Sequence, residues 1–352
     1  MCFDTGEVSP RSMLYICYRS VDEMQDDENL VVPPDRIKQK MNLIYVFAFH
    51  LMLLRVGESS TLWVIKPNVI ALEVSGNPME QKTSVELSCG DQYEDAEIHW
   101  RKNQHNIPAK GNSITVSIEA MLGGNFTCHS ASGELLNHTL VLVSPLDFEK
   151  AILLQNENEE FVTCIARNYS GPFHCSWKWD PVRNGMVVFF RALRNSSDID
   201  CSLDEDNGGL TCENLQCPFS EEVTRINLTL LVRNQYRLEE HQRTFFIHDI
   251  IKPEKVDIIK AENNEFQWEV PKTWNRPCTF FPLRYEVKVL SHRKDCDDAS
   301  HDHPDSLYLN ETHYKVSNKK SYTFCVRAQD TFTNKVWSDW SQHKVSKQRS
   351  KK

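Results

Sequence analysis

The sequence has little glycine, 12 residues in 352, and contains neither GxGxxG nor GxxxxGK(S/T). The backbone cradles that hold nucleotide phosphates are therefore missing. It has no surplus of positive charge either. Its 40 Lys and Arg face 49 Asp and Glu, a net charge of −9, so nucleic acid is excluded as a partner. The longest apolar run, Leu43 to Leu54, falls short of the about 20 residues a bilayer helix needs, and no membrane span is expected. GxSxG and HExxH are absent, and most cysteines have a structural reading, so no enzyme, cofactor or metal is expected.

What the chain does have is 12 cysteines, whose meaning depends on compartment. The run at 43–54 follows Lys38 and Lys40 and gives way to Arg55, Gly57, Glu58, Ser59 and Ser60. That is the form of a signal-peptide h-region, and residues 1–60 are read as a leader. Translation effectively starts at Met41, or residues 1–40 form a long pre-region; the alternative is a signal anchor with a short cytosolic tail. Asn-x-Ser/Thr sequons stand at Asn125, Asn137, Asn168, Asn195, Asn227 and Asn310, none of them in the leader. Together with the h-region they point to a secreted, extracellular glycoprotein.

Beyond Leu62 apolar residues recur with period two, as in Val85-Glu86-Leu87-Ser88-Cys89, Ile114–Ile118, Asn227–Val232 and Tyr285–Val289, with closely spaced turn residues between such runs. No long amphipathic helix stands out. The expectation is an all-β chain: an immunoglobulin-like sandwich at 61–145, then fibronectin type III sandwiches at 146–252 and 253–345, and a basic tail at 346–352. In the first block Cys89, Trp100 and Cys128 have the spacing of two cysteines bridging the sheets with a Trp packed on the bridge. Phe126 stands where the corner Tyr of such domains usually lies, so that hydroxyl bond is missing.

The second block carries Cys164 and Cys175 with Trp177 close behind, then Cys201 and Cys212; the third ends in Trp337-Ser338-Asp339-Trp340-Ser341. This conjunction resembles the cytokine-binding module of haematopoietic cytokine receptors, the type I cytokine receptor-like family. With an immunoglobulin-like domain in front and no anchor, the chain is most similar to the receptor-like beta subunits of heterodimeric cytokines. The resemblance implies bridges Cys164–Cys175 and Cys201–Cys212. It implies that WSxWS is scaffold: Ser338 and Ser341 belong to it, and Arg327 inserts between Trp337 and Trp340 at ~0.5–2 kcal/mol per contact. Cys325 stands where such receptors often have a second Arg, so a short ladder is expected.

The resemblance further implies a partner, a four-helix-bundle cytokine alpha subunit, held at the elbow between the second and third sandwiches by Tyr169, Phe280 and Asp330. Asp330 would receive an Arg from that partner; the alternative is a solvated loop aspartate. The family's interchain cysteine corresponds to Cys217, which has no partner in its own block once the two bridges form; pairing with a third-block cysteine is the alternative. A cell-surface cytokine receptor chain and a possible homodimer are the other implied partners, with signalling to immune cells as the outcome. A freestanding soluble receptor or decoy that binds a helical cytokine reversibly is the competing function.

The third block departs from the family. Cys278, Cys296 and Cys325 are odd in number, and their pairing stays open. The family's basic loop is replaced by an acidic segment with His301 and His303, read as a solvated loop ahead of a metal site. The exposed Trp of the family's first domain is missing near Ser75-Gly76-Asn77.

Overall fold

The computed structural model describes residues 61–75, 82–119, 122–214, 222–274, 279, 281–297, 306–317 and 321–346. The leader with its h-region, Cys217, Cys278, Phe280, His301, His303 and tail residues 347–352 lie outside the described residues.

The described chain is almost entirely strand, as its period-two pattern requires. In the first sandwich Lys82–Ser88 pairs with Ser113–Glu119. The facing sheet holds Ile98–Lys102, Gly124–Ser130, Leu135–Pro145 and Val69–Val74, the last two running parallel. Alternate residues Val85, Leu87, Ile114, Val116 and Ile118 point into the core beside Trp100 and Phe126. Cys89 and Cys128 join the two sheets through a disulfide with Cα atoms 6.0 Å apart. Trp100 is buried and its Nε1 donates to the Gly111 carbonyl at 2.8 Å. Phe126 fills the corner with its ring alone, and Lys102 lies over it at 5.4 Å.

In the second sandwich Val162–Ile165, Phe173–Trp179, Gly209–Glu213 and Ser197–Leu203 form one sheet. Gly185–Arg194, Ile226–Asn234 and Arg237–Phe245 form the other. Both close bridges lie inside the first of these sheets, each joining residues directly opposite on neighbouring strands: Cys164–Cys175 and Cys201–Cys212, with Cα atoms 4.0 Å apart in both. Trp177 shares the buried core with them and meets Trp179 edge-on.

The third sandwich sets Asp257–Glu262, Glu265–Glu269 and His313–Lys315 against Leu307–Leu309, Leu283–Ser291, Tyr322–Asp330 and Ser341–Val345. Three strands against four is the fibronectin type III arrangement, so the all-β expectation holds. A fourth disulfide joins Cys296 to Cys325, which resolves part of the odd count left open by the sequence.

The sandwiches are fused. Val143 ties the first sandwich to the second, its N–H donating to the Tyr236 carbonyl at 2.7 Å. A small cluster mixes Val69, Ala71 and Leu142 with Val188, Leu231 and Leu238. A single larger core runs from Cys164 and Tyr169 through Phe245, Ile250 and Val256 to Trp274 and Leu283. At about 25 cal/mol per Å² of apolar surface removed from water, such continuity favours a fixed bend over a loose hinge.

Candidate functional site

The chain between the second and third sandwiches is pinned on both sides. Ala166 donates its N–H to the Ile250 carbonyl at 2.9 Å, and Lys252 donates back to Ala166 O at 2.8 Å. Residues Ile247–Asp249 form a 3-10 turn whose Asp249 carboxylate accepts the Phe246 N–H at 3.0 Å. The Lys335 ammonium reaches Asp249 from the third sandwich, and Lys252 pairs with Asp339 at 2.8 Å. Burial works against charging Asp249, but Lys335, the Phe246 N–H and His248 outweigh it and hold its carboxyl below the usual range.

Beside this linker Tyr169 is fully buried. Its ring meets Phe281 at 5.1 Å and Trp274 at 6.0 Å. Its hydroxyl donates to Asp330 Oδ2 at 2.5 Å. The Asp330 carboxylate also accepts the N–H groups of Phe332 at 3.2 Å and Thr333 at 3.0 Å, and is 1% exposed. It is thus an interior capping group and not a solvated loop residue. Burial first, then the hydrogen bond to Asp330 and its charge, pushes the Tyr169 phenol far above its usual range. Of the three expected elbow residues, Tyr169 and Asp330 meet; Phe280 lies outside the described residues.

The surface over this pair is apolar. Phe332 is 49% exposed and stacks on Phe281 with ring centroids 4.6 Å apart. The sequence reading missed both, although Phe280 and Phe281 are neighbours and Phe332 stands two residues from Asp330.

The Trp-Ser motif forms a layered stack. Arg327 lies over Trp337 at 4.8 Å and Trp340 at 4.3 Å. The ladder is longer than expected. Arg284 lies over Trp337 at 5.4 Å and Tyr308 at 5.8 Å, and Lys288 covers Trp340 at 4.9 Å. The replacement cations come from the neighbouring strand, where Arg284, Glu286 and Lys288 share one face and face Gln329, Arg327 and Cys325 in register. Buried Glu286 accepts from Arg327 at 2.6 Å and from Ser306 at 2.9 Å, and lies 3.5 Å from Lys288. The charge alternation was visible in Arg284-Tyr285-Glu286-Val287-Lys288, but it reads equally as the wet face of a strand. Ser338 Oγ accepts the Ala328 N–H at 2.9 Å, and Ser341 Oγ donates to the Val256 carbonyl, so both serines fasten backbone.

Among the expected glycan acceptors, Asn125, Asn195, Asn227 and Asn310 are exposed; Asn137 is half-buried and Asn168 buried. Among the described residues no group of His, Cys, Asp and Glu is arranged to hold a metal, and no helix is long and apolar enough to cross a membrane.

A family model described as Cytokine interleukin-12p40 C-terminus matches residues 159–234, the stretch that carries both close bridges, Tyr169 and Cys217. The chain is 28% identical over 320 residues to interleukin-12 subunit beta of Sigmodon hispidus, covering 82% of this chain and 95% of that protein. Against the human interleukin-12 subunit beta it is 28% identical over 310 residues, covering 80% and 92%. Against that of Lama glama the figures are 27% over 328 residues, 84% and 97%. The chain therefore resembles interleukin-12 subunit beta along most of its length, which supports a cytokine subunit.

Proposed function

We propose that this chain, a relative of the interleukin-12 beta subunits, is the secreted receptor-like beta subunit of a heterodimeric cytokine. It binds a four-helix-bundle alpha subunit at the elbow of its second and third sandwiches and engages a cell-surface cytokine receptor to signal to immune cells. Its work is binding, without catalysis.

The observation that carries this reading is the junction itself. Phe332 and Phe281 offer an exposed apolar step directly over the buried Tyr169–Asp330 pair. An exposed aromatic step whose base is fixed by the buried Tyr169–Asp330 pair suits an alpha subunit that brings an apolar helix face to it. The side chains beneath are already fixed by packing, so little ordering is left to offset binding.

The covalent part of the proposal rests on cysteine accounting. Ten cysteines follow residue 60, and eight of them pair with one another. Within that stretch only Cys278 is left as a possible partner for Cys217. Cys217 precedes Glu222 by five residues, a reach of at most about 18 Å along the chain. Glu222 is anchored to the elbow linker, accepting the N–H groups of Ile247 and His248 at 3.0 Å each.

Co-expression with a candidate alpha subunit tests the reading against the soluble receptor or decoy. A secreted heterodimer that survives a non-reducing gel and dissociates with thiol supports the cytokine subunit. A secreted monomer that captures the same helical cytokine reversibly overturns it.

A further inference from the structure

Asn168 opens an Asn-Tyr-Ser triplet, the form that accepts N-glycans, yet its carboxamide is built into the junction. The residue is 7% exposed. Its Nδ2 donates to the main-chain carbonyl of Thr273 at 2.6 Å, across 105 residues of sequence. Its Oδ1 accepts the Ser170 N–H at 2.7 Å and the Ser170 hydroxyl at 2.5 Å. The next residue continues the fastening, Tyr169 N–H donating to Thr279 Oγ1 at 3.2 Å. On the opposite side the Thr273 hydroxyl donates to Glu254 at 3.0 Å, so the carbonyl that receives Asn168 belongs to a turn that is itself held.

Glycan transfer replaces one hydrogen of Nδ2 with the first sugar ring, and that ring needs open space at the same atom. The exposed asparagines 125, 195, 227 and 310 offer it. At Asn168 one hydrogen of that atom bonds the Thr273 carbonyl across two sandwiches, and the residue's burial leaves the other no room for a sugar ring. A buried carboxamide with both ends satisfied is worth more to the fold than a solvated one, because breaking it leaves polar atoms unpaired in a desolvated seam.

We infer that Asn168 is a bare fastener of the elbow, closed to N-glycosylation in the secreted protein, and that the glycans sit on the exposed asparagines. This departs from the reading of the triplet in the sequence and does not depend on which partner the elbow holds. A chain glycosylated at Asn168 before folding would have to seat a sugar ring in this buried seam to close the elbow, so the folded, secreted pool carries the unmodified residue.

The test uses the full chain secreted from a glycosylating cell, treated with peptide-N-glycosidase in heavy-oxygen water and mapped by peptide mass spectrometry. The expected result is no label at Asn168 and label on at least one of Asn125, Asn195, Asn227 and Asn310. Label at Asn168 overturns the inference and would put the sugar in the groove lined by Arg167, Pro172, Phe173 and Thr211. Absence of label at all four exposed positions overturns it too. Two variants separate fastening from acceptance. Ser170→Ala destroys the triplet while keeping the Nδ2 bond, and should leave the glycan mass unchanged. Asn168→Ala should speed amide hydrogen exchange of the 166–172 and 271–274 peptides about five-fold; unchanged exchange contradicts the fastening role.

Discussion

The Tyr169 hydroxyl donates to the Asp330 carboxylate at 2.5 Å, joining two residues 161 positions apart in different sandwiches. Two further N–H donors complete that carboxylate, so the pair is a buried polar tie within the junction.

Removing the hydroxyl should loosen the junction. Tyr169→Phe leaves a buried carboxylate short of one donor, at a cost of about 1–3 kcal/mol. Scanning calorimetry should show a lowered transition for the second and third sandwiches. Raised above its ordinary value of 10.0, the Tyr169 phenol contributes stability that is complete below pH 10 and declines as pH climbs beyond it. Wild type should lose stability in that alkaline window faster than Tyr169→Phe.

The Glu286 carboxylate should prove the counter-ion of the cation ladder. It is buried against Arg327 and Lys288, so Glu286→Gln strands two cations in a desolvated stack. A loss of about 3–5 kcal/mol in urea unfolding is expected. Arg327→Met added to Glu286→Gln should recover part of it; purely additive losses would show that the two are not coupled.

An acid-sensitive fastening is expected at Glu239. Burial opposes its charge, but contacts from His241, the Ile152 and Ala151 N–H groups and Arg237 together lower its carboxyl below the ordinary 4.5. A lowered carboxyl stabilises the fold above that value, and the contribution fades as pH falls through the folded-state value. Urea midpoints measured from pH 7 down to 3 should drop less steeply for Glu239→Gln than for wild type.

The bridge Cys296–Cys325 closes a loop with a sequence separation of 29, and opening it should cost roughly 3–4 kcal/mol in the chain-entropy account. The Cys296→Ala/Cys325→Ala pair should therefore unfold at lower denaturant with the other bridges intact by peptide mapping.

Much of the architecture was legible in the residues because strand periodicity and turn chemistry are local. Val85 and Leu87, or Ile114, Val116 and Ile118, announce their buried face without help from the rest of the chain. The Cys89, Trp100 and Cys128 spacing and the Trp337–Ser341 motif are nearly as local. What the residues did not announce depends on pairing across the sequence. Which of three third-block cysteines would join could not be read, since Cys296 and Cys325 meet only after the strands around them fold. Arg284 and Lys288 lengthen the ladder through register with a strand some forty residues on. Asp330 was read as partner-facing or solvated because nothing near it in sequence foretells Tyr169 as its donor. Asn168 carries a surface motif on a buried carboxamide for the same reason.

The most direct measurement of the central claim is the dissociation constant between the alpha subunit and this chain carrying Cys217→Ser, compared with the same chain carrying Asp330→Ala as well. With the covalent route removed, elbow seating predicts that Asp330→Ala weakens association by more than about 1 kcal/mol, roughly five-fold or more, with the first sandwich's unfolding unchanged. Equal affinity of the two chains would contradict elbow seating.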